Sequence, residues 1–455
     1  MSQGTRLDFS FSPSAQANPK RRSGNAPFKL LVLGDFTGLP ADDRTPLAQR
    51  QPRRVDLDSF DALMARWRPQ CTWDNAPWVF TSLDDLHPDA LLQRPAFQTL
   101  RTEAASAAEQ GGALLGQLLG GAPAGLAGAA KPASTPPATA ASGVDAFIRA
   151  LLPATAPTPT DEPQRQATVH QALGDALRAL LHSPDFQRLD RAWRGLHWLV
   201  QTLPLDDGLE IHALDVAQAE LWDGLKAAEG RWADTGWHRA MAGDVANPAA
   251  WSMLLGLQQF GAEGADLALL AALGLSARAM GAPYVAAGST DLALLTGPAQ
   301  QAWQALRASE AAPWLGLVAP RVLLRRPYGR RSDPVELPGF EEFSGRPAHE
   351  QLLWGSGALA VGLLVAQAFA ESGWDFQPGD HQHLDDLPQC TFEQDGEVVL
   401  QACAEAYLSD HAGQSLLDAG LMPLLSHKHR NAVSLMRCQS IAQPAQPLAG
   451  LPRGG

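Results

Sequence analysis

The sequence predicts a multidomain α/β protein in which mixed sheets are flanked by helices. The chain has 455 residues, which exceeds one ordinary core and suggests about two to four folded units. Hydrophobic residues make up 45% and charged residues 18%, so most of the chain can bury enough apolar surface to fold. Apolar runs typical of strands alternate with segments of helical periodicity, which indicates a mostly parallel sheet.

Residues 1–26 are predicted to form a strand followed by a tether. In the segment LDFSFS, the side chains of Leu7, Phe9 and Phe11 alternate with polar residues and share one face of a strand. The residues that follow, SPSAQANPKRRSGNAP, are rich in Pro, Ser, Asn and Gly, so the strand need not pair within the next domain. We expect it to add to a sheet edge of a neighbouring molecule; the alternative is that it completes the sheet of its own domain.

Residues 27–103 are predicted to form a small α/β domain. It opens with FKLLVLGDFTG, whose continuous apolar run fits a strand buried on both faces. Apolar residues at helical spacing predict a helix over 59–68, and a second strand is expected over 78–83. The acidic pair that follows, Asp84 and Asp85, is placed to cap the next helix.

Residues 104–142 are predicted to be a linker. Their composition is dominated by Ala, Gly and Pro and is poor in large apolar and charged side chains, so burial cannot offset the entropy of ordering them. Within this stretch the segment GALLGQLLGG carries four leucines at helical spacing, namely Leu114, Leu115, Leu118 and Leu119. Glycines on both sides disfavour a stable free helix there.

Residues 143–455 are predicted to form a larger α/β domain whose C-terminal strand region spans about 388–445. Ser183 is expected to cap a helix that starts at Pro184. Helices are expected over 168–182, 185–201, 266–280 and 352–369, and strands over 209–214, 252–257, 284–287 and 398–402, with two more strands in the tail.

Composition excludes several functional classes. The formal charge of -13 disfavours nucleic acid, which requires a concentrated basic surface. The N-terminus lacks the pattern of a secretory signal and no stretch resembles a membrane span, so we expect a cytoplasmic location. The cysteines show no CxxC pairing and are interpreted as buried thiols: Cys71, Cys390, Cys403 and Cys438.

Motifs that support an enzyme are weak. His381 and His383 could join Asp385 or Asp386 as metal ligands, but HxH spacing is unspecific and no third ligand of defined geometry is evident. LGDFTG lacks the lysine and the glycine spacing of a P-loop, and no GxSxG is present. We therefore expect no catalytic, cofactor-binding or metal residues; the alternative is an enzyme or carbohydrate-binding protein that uses the HQH loop or the tryptophans.

The first hundred residues resemble the small subunit of the type VI secretion contractile sheath. The segments PFKLLVLGDFTG, TPLAQRQPRRVDLDSFDALMARWRP and FTSLDDLHPDALLQR follow its opening strand and glycine turn, its V-D-x-D-x-F-D step and its L-D-D-F-H-P-D step in order. The residues that carry this resemblance include Gly34, Asp35, Asp84, Asp85, His87 and Pro88.

From residue 143 onward the chain resembles the large subunit of the same sheath. HSPDFQRLDRAWRGLHWLV is similar to its signature helix pair, and WQALRASEAAPWLGLVAPRVLLRRPYG, GFEEF and LLWGSGALA follow its later motifs. The residues that carry this resemblance include Trp193, Arg194, Gly195, Pro320, Arg321, Pro327, Tyr328, Gly329, Trp354 and Gly355. Ser356 departs from the Asn usual in the family, and DHQHLDDLP replaces a glycine-rich segment.

The resemblance implies a small subunit (TssB- or VipA-like) fused to a large one (TssC- or VipB-like). Such subunits self-associate into a helical sheath around an inner tube and contract to propel that tube. The implied partners are further copies of the chain, the inner tube protein, baseplate proteins and a recycling ATPase, for which GALLGQLLGG is the candidate handle. The departures leave open a non-contractile adaptor of the same machine.

The linker is expected to be the preferred protease-sensitive region, because Ala, Gly and Pro without a core leave the backbone exposed. Limited elastase digestion should yield fragments of roughly 100 and 310 residues that remain associated. Gel electrophoresis and size-exclusion chromatography of the digest measure both properties. Uniform resistance throughout 104–142 would contradict the predicted linker.

Overall fold

The computed structural model describes residues 26–110, 162–244, 247–427 and 430–452. The predicted strand residues Leu7, Phe9 and Phe11 lie outside the described residues, and so do residues 111–142 of the predicted linker. The described residues confirm the predicted α/β fold class, with helices on both faces of a large mixed sheet.

The described strands are β1 (Phe28–Gly34), β2 (Arg53–Val55), β3 (Gln70–Trp73), β4 (Ala76–Val79), β5 (Leu209–Asp215), β6 (Gly243–Asp244), β7 (Asn247–Pro248), β8 (Met253–Phe260), β9 (Tyr284–Gly288), β10 (Leu315–Ala319), β11 (Val322–Leu323), β12 (Trp354–Gly355), β13 (His383–Leu384), β14 (Cys390–Gln394), β15 (Glu397–Gln401), β16 (Leu421–Ser426) and β17 (Val433–Leu435). Nine of them form one sheet in the order β13, β17, β16, β10, β9, β8, β1, β5, β2. Its six central strands, β16 to β5, pair in parallel, and the strands at the two edges are antiparallel.

The described helices are α1 (Phe60–Trp67), α2 (Pro88–Leu92), α3 (Pro95–Gln110), α4 (Glu162–Leu181), α5 (Pro184–Thr202), α6 (Gln218–Ala227), α7 (Gly236–Ala242), α8 (Gly264–Met280), α9 (Gly297–Arg307), α10 (Gly357–Ser372) and α11 (Asp410–Asp418). Side chains of α1, α3, α4, α5 and α10 form a core on one face of the sheet. Side chains of α6, α7, α8, α9 and α11 form a second core on the other face. The molecule therefore has three layers, helix, sheet and helix.

β1 is an interior strand of the sheet and joins the two predicted domains. It pairs in parallel with β5 on one side and with β8 on the other, so Leu30 lies between Ile211 and Met253. Only Lys29 in this strand is not fully buried. Alternate side chains enter opposite cores, because successive residues of a strand point to opposite faces. Residues 27–103 and the larger region thus contribute to one continuous sheet.

α10 is the central helix of one core. Twelve of its sixteen residues are buried, and it packs over the central strands. Among the described residues, one segment, Gly357–Asp375, is long and apolar enough to cross a membrane by length and composition, although the sequence pattern predicts no membrane span. Protein covers 67% of its most apolar window, and this burial is typical of a core helix.

Several predicted boundaries change in the structure. α3 continues to Gln110, with Ala104, Ala107 and Ala108 buried, so the first seven residues of the predicted linker are helical. α10 begins at Gly357 instead of residue 352, because the residues just before it pair with β11 and Ser356 caps the helix. The strand predicted over 78–83 corresponds to β4, a hairpin partner of β3 that begins at Ala76 and ends at Val79.

The prediction that the Ser183 side chain caps α5 is wrong. Ser183 does precede α5, but its side chain accepts no hydrogen bond from the first turn of that helix. Its hydroxyl donates instead to the carbonyl of Leu180, at 2.8 Å, in the last turn of α4. The short connection between the two helices brings that carbonyl within reach, so Ser183 closes the preceding helix.

Substitution of Gly195 tests the close contact between α5 and α10. A Cβ atom at Gly195 would lie 2.7 Å from Cδ1 of Leu359, whereas a Cβ at Gly264, at the start of α8, would meet nothing within 4 Å. We expect Gly195→Val to lower the free energy of unfolding by about 1–3 kcal/mol through overpacking. Gly264→Val should change it by about 0.5 kcal/mol or less. Urea denaturation measures both, and equal midpoints would contradict the tight contact.

Candidate functional site

Trp193 on α5 holds the turn that follows β1. Its side chain is fully buried, and Nε1 donates a hydrogen bond of 2.8 Å to the backbone carbonyl of Phe36. The indole also packs edge-on against Phe36 and Phe60, at centroid distances of 5.4 and 5.6 Å. Because a buried indole N–H needs an acceptor, this bond fixes the exit of β1 against α5.

Arg194 links α5 to the segment that carries Tyr328. Its guanidinium donates to Asp190 on the previous helical turn, with Nε 2.5 Å from Oδ1. Nη2 donates to the hydroxyl of Tyr328 at 2.9 Å. Both acceptors are buried, so the arginine is held in one orientation between them.

A second buried arginine, Arg325, completes this network. It donates two hydrogen bonds of 2.7 Å to Glu342, approaches Asp190 at 3.3 Å and lies 4.3 Å from the ring centre of Tyr328. Burial alone would raise the pKa of Glu342. The attraction and hydrogen bonds of Arg325, with a backbone N–H from Tyr328, outweigh burial and lower that pKa to about 2. Two arginines thus balance two carboxylates.

The LDDLHPD segment contacts this network from the N-terminal region. The imidazole of His87 packs edge-on against Tyr328, with ring centroids 5.1 Å apart and planes at 90°. Asp89 accepts a hydrogen bond of 2.8 Å from the backbone N–H of Glu336, and Pro88 is buried beside them. The motifs that resemble the small and large subunits therefore meet at Tyr328.

Asp215, at the end of β5, accepts hydrogen bonds from the residues that follow β1. The backbone N–H groups of Phe36 and Thr37 donate to Oδ1 at 2.8 and 3.0 Å, and the Thr37 hydroxyl donates to Oδ2 at 2.8 Å. Burial raises the pKa of Asp215, although Arg44 and these hydrogen bonds act in the opposite direction. A single buried side chain thus satisfies three donors of the N-terminal region.

Arg44 and Arg50 surround the same carboxylate. Arg44 contacts Asp35 and also lies 3.4 Å from Asp215 and 3.2 Å from Glu220. Arg50 lies 2.5 Å from Glu220 and donates to the backbone carbonyl of Asp215 at 2.8 Å. Their side chains are only 3% and 10% exposed, so this ion cluster is enclosed by protein.

The ion cluster around Asp215 lies where parallel α/β sheets usually bind ligands. In parallel α/β sheets, ligands bind outside the carboxyl ends of strands at the point where connections diverge to opposite sides. Here that point lies at β1, between β5 and β8. The protein's own arginine side chains occupy the space beside Asp215. The ion pairs join the N-terminal region to β5 and α6, and they leave Asp215 and Glu220 already paired with arginines.

The Pro320 and Trp354 motifs form a third contact. Arg321, directly after Pro320, donates to both oxygens of Glu405 at 2.8 and 2.6 Å, and His349 lies 2.7 Å from the same carboxylate. Trp354 pairs in the β11–β12 ladder, and its Nε1 donates to the carbonyl of His349 at 3.0 Å. These bonds connect the end of β10 to the segment preceding α10.

The remaining motif residues lie at turns and close approaches. Gly34 ends β1, where a Cβ atom would lie 2.7 Å from Leu257. A Cβ at Gly355 would overlap the side chain of Leu324, and one at Gly329 would overlap Glu341. The carbonyl of Pro327 accepts a hydrogen bond of 2.5 Å from the hydroxyl of Ser332. These residues shape the backbone around the network.

The predicted capping role of the acidic pair is wrong. Asp84 opens a short 3-10 turn, and Asp85 accepts hydrogen bonds of 2.6 and 2.8 Å from the backbone and hydroxyl of Thr81. The cap of α2 is His87, whose Nδ1 accepts from the backbone N–H of Asp89 at 3.3 Å. Asp85 therefore stabilises the turn that precedes α2.

The histidines considered as metal ligands do not converge with Asp385 and Asp386. His381 lies 3.0 Å from Glu371, and His383 shares a hydrogen bond of 2.6 Å with Ser434, which also bonds to His427. Within residues 26–110, 162–244, 247–427 and 430–452, no group of three or more His, Cys, Asp or Glu side chains is placed to hold a metal.

The cysteines are free thiols, and three of the four are buried. Burial raises the pKa of Cys71 to about 12, with a smaller contribution from Asp185 in the same direction. Thiols of this kind are largely protonated at neutral pH and are poor nucleophiles.

The ion cluster at Asp215 was not predicted from the sequence. Arg44 and Asp215 are 171 positions apart, and neither belongs to a spaced motif. A signal was present, since Asp215 directly follows the strand predicted over 209–214, a position that often carries functional polar groups in parallel sheets. The sequence does not indicate that Arg44 is the residue that pairs with Asp215, because the fold brings the two together.

Two family models match the chain. Residues 164–442 match the VipB family, described as the EvpB tail sheath N-terminal domain. This match covers more than half of the chain. The chain belongs to the VipB tail sheath family. Residues 5–101 match a second model, the type VI secretion system VipA family, so both segments of the network come from sheath families.

Two curated relatives from Pseudomonas aeruginosa agree with these matches. The type VI secretion system sheath protein TssC1 is 29% identical over 306 residues, which cover 62% of this chain and 61% of the relative. The sheath protein TssB1 is 30% identical over 80 residues, which cover 15% of this chain and 46% of the relative. The chain therefore spans less than two thirds of either relative.

Replacement of Glu342 tests the buried network. Glu342→Gln removes the carboxylate that Arg325 contacts most closely and leaves it only the longer contact with Asp190, so we expect the free energy of unfolding to fall by about 3 kcal/mol at neutral pH. The folded pKa of Glu342, about 2, is below its ordinary value of 4.5. Its contribution is therefore present above about pH 4.5 and is lost as pH falls towards 2. The difference between wild type and variant should narrow over that interval in urea denaturation.

A matched control is Glu393→Gln. Glu393 forms an exposed pair with Arg331, whose side chain is 80% exposed, and surface pairs contribute little. This variant should follow the wild-type acid profile. An equal loss of stability in both variants, or a difference for Glu342→Gln that stays constant with pH, would contradict the role of the network.

Proposed function

We propose that this chain is a structural subunit of a type VI secretion contractile sheath that supplies both sheath components in one polypeptide. The observation that supports this most directly is the insertion of β1, from the VipA-like segment, between two strands of the VipB-like segment. The two segments share one core. Together they form the repeating unit that a sheath requires.

In this proposal the subunits assemble around an inner tube and contract to propel it. Contraction needs no active site, because an extended lattice can store free energy and release it when subunits move into a better-packed arrangement. Each subunit must transmit that movement without coming apart. The hydrogen bonds and ion pair that join Asp215 to the N-terminal region, and the ring contact between Tyr328 and His87, suit this requirement.

The same proposal assigns no enzymatic activity and no cofactor. Its partners would be further copies of the chain, an inner tube protein, baseplate proteins and a recycling ATPase, in the cytoplasm. We assign no nucleic acid partner and no direct membrane insertion. The net charge of -13 supports the absence of nucleic acid binding, because phosphate contacts require concentrated positive charge.

A non-contractile adaptor associated with the baseplate of the same machine is the alternative. Ser356 supports it, because this residue departs from the family pattern at the cap of the central helix α10. A metal- or carbohydrate-binding enzyme is less well supported, since His381 and His383 bond to Glu371 and Ser434.

Negative-stain electron microscopy of the purified full chain tests the function. Long rods or stacked rings would support a sheath subunit. Short, closed assemblies of fixed size would favour the adaptor. A monomer that retains stoichiometric zinc in a metal assay would contradict both and support the enzyme.

The N-terminal strand is expected to link neighbouring subunits by strand addition. Each backbone bond contributes on the order of 1 kcal/mol, and each buried aromatic adds roughly 1.5–3 kcal/mol. Deletion of residues 1–15, or Phe9→Asp combined with Ser10→Pro, should leave a folded protein that no longer forms long assemblies. Circular dichroism and microscopy measure the two properties. Unfolding would place the strand in its own core, and unchanged polymers would refute the linkage.

A further inference from the structure

Two histidine-containing segments of the sequence meet at Ser434 on β17. His383 belongs to the segment DHQHLDD, and His427 belongs to the segment SHKHR. Nδ1 of His383 lies 2.6 Å from Oγ of Ser434, and Nε2 of His427 contacts the same oxygen. The centroids of the two rings are 6.1 Å apart. The fold therefore brings imidazole nitrogens from two separate segments together at one oxygen atom.

Neighbouring strands at one edge of the large sheet hold these residues in place. β17 lies between β13 and β16. His383 faces Ser434 in the β13–β17 ladder. His427 directly follows β16, and its backbone N–H donates to the carbonyl of Ala432 at 3.3 Å. Backbone hydrogen bonds on both sides of β17 thus set the positions from which the two rings converge.

The hydroxyl of Ser434 serves both imidazoles in different ways. It carries one proton, so it can donate to one ring nitrogen only, and the other ring must donate to it. Both rings can be reached by solvent, because His383 is exposed and His427 is half-buried. A cation in the place of the hydroxyl would accept a lone pair from each neutral ring. Imidazole nitrogen is a favoured ligand of zinc and copper ions, at about 2.0–2.1 Å from zinc.

We propose that His383 and His427 form a two-histidine site for a divalent transition-metal ion of the Zn²⁺ or Cu²⁺ class, with water in the remaining positions. The bound ion links β13 to the end of β16 across β17. Both protein ligands belong to one copy of the chain, so the site is independent of the proposed sheath function. Closed structural zinc sites have four protein ligands. An ion held by two should therefore be removed by a chelator, unlike the retained zinc of an enzyme.

Isothermal titration of the untagged, chelator-treated full chain with zinc chloride tests the site. We expect one equivalent to bind, and His383→Gln and His427→Gln each to weaken binding about tenfold or more, because either change abolishes chelation. The matched control is His411→Gln, since His411 is an exposed histidine on α11, and this variant should bind zinc as wild type does. Circular dichroism confirms that each variant is folded. Unchanged affinity of folded His383→Gln, or no saturable binding by wild type, would overturn the proposal.

Two further variants distinguish one shared ion from other arrangements. If both rings bind the same ion, the second substitution in the double variant His383→Gln with His427→Gln should weaken binding much less than the first. Losses that add in full would give each histidine its own ion and overturn the shared site. Ser434→Ala should bind zinc at least as tightly as wild type, because the ion takes the place of the hydroxyl. A loss as large as that of His383→Gln would make the hydroxyl a ligand and overturn the two-histidine assignment.

Discussion

β1 lies between β5 and β8, and the parallel hydrogen bonds on its two sides hold the sheet together. Without this strand, β5 and β2 would be separated from the rest of the sheet. Both helical layers also depend on it, because its alternate side chains enter the two cores. The N-terminal region is therefore an internal part of the larger fold.

Buried charges occur where this strand leaves the sheet, and their cost explains their arrangement. An unpaired charge in a protein interior costs several kcal/mol, and Arg44 and Arg325 each lie against at least one carboxylate. Apolar packing tolerates small slips of one segment against another, whereas fork-shaped ion pairs do not. The networks around Asp215 and Tyr328 therefore fix the relative position of segments that apolar contacts alone would leave less defined.

Local features of the fold could be predicted from the sequence, and long-range ones could not. The apolar run of β1 and the periodicity of α5 mark these elements because their residues bury whole faces. The position of β1 between β5 and β8 depends on pairing across distant parts of the chain, which periodicity does not encode. α3 continues past residue 103, the predicted end of the small domain, because packing on α4 buries alanines that composition alone assigns to a linker. The family motifs identified Arg194 and Tyr328, but the network that these two residues form with Glu342 required the fold.

The interior position of β1 in the sheet has a consequence for the synthesis of the chain on the ribosome. β1 is synthesised first, yet its partner Leu209 follows about 180 residues later, and β8 later still. At about 5–20 residues per second, an apolar strand with two open edges waits roughly 10–40 s for its first neighbour. Such a strand is a target for chaperones and for mispairing during that interval. Nascent chains therefore pass through a vulnerable stage that a protein with locally paired strands avoids.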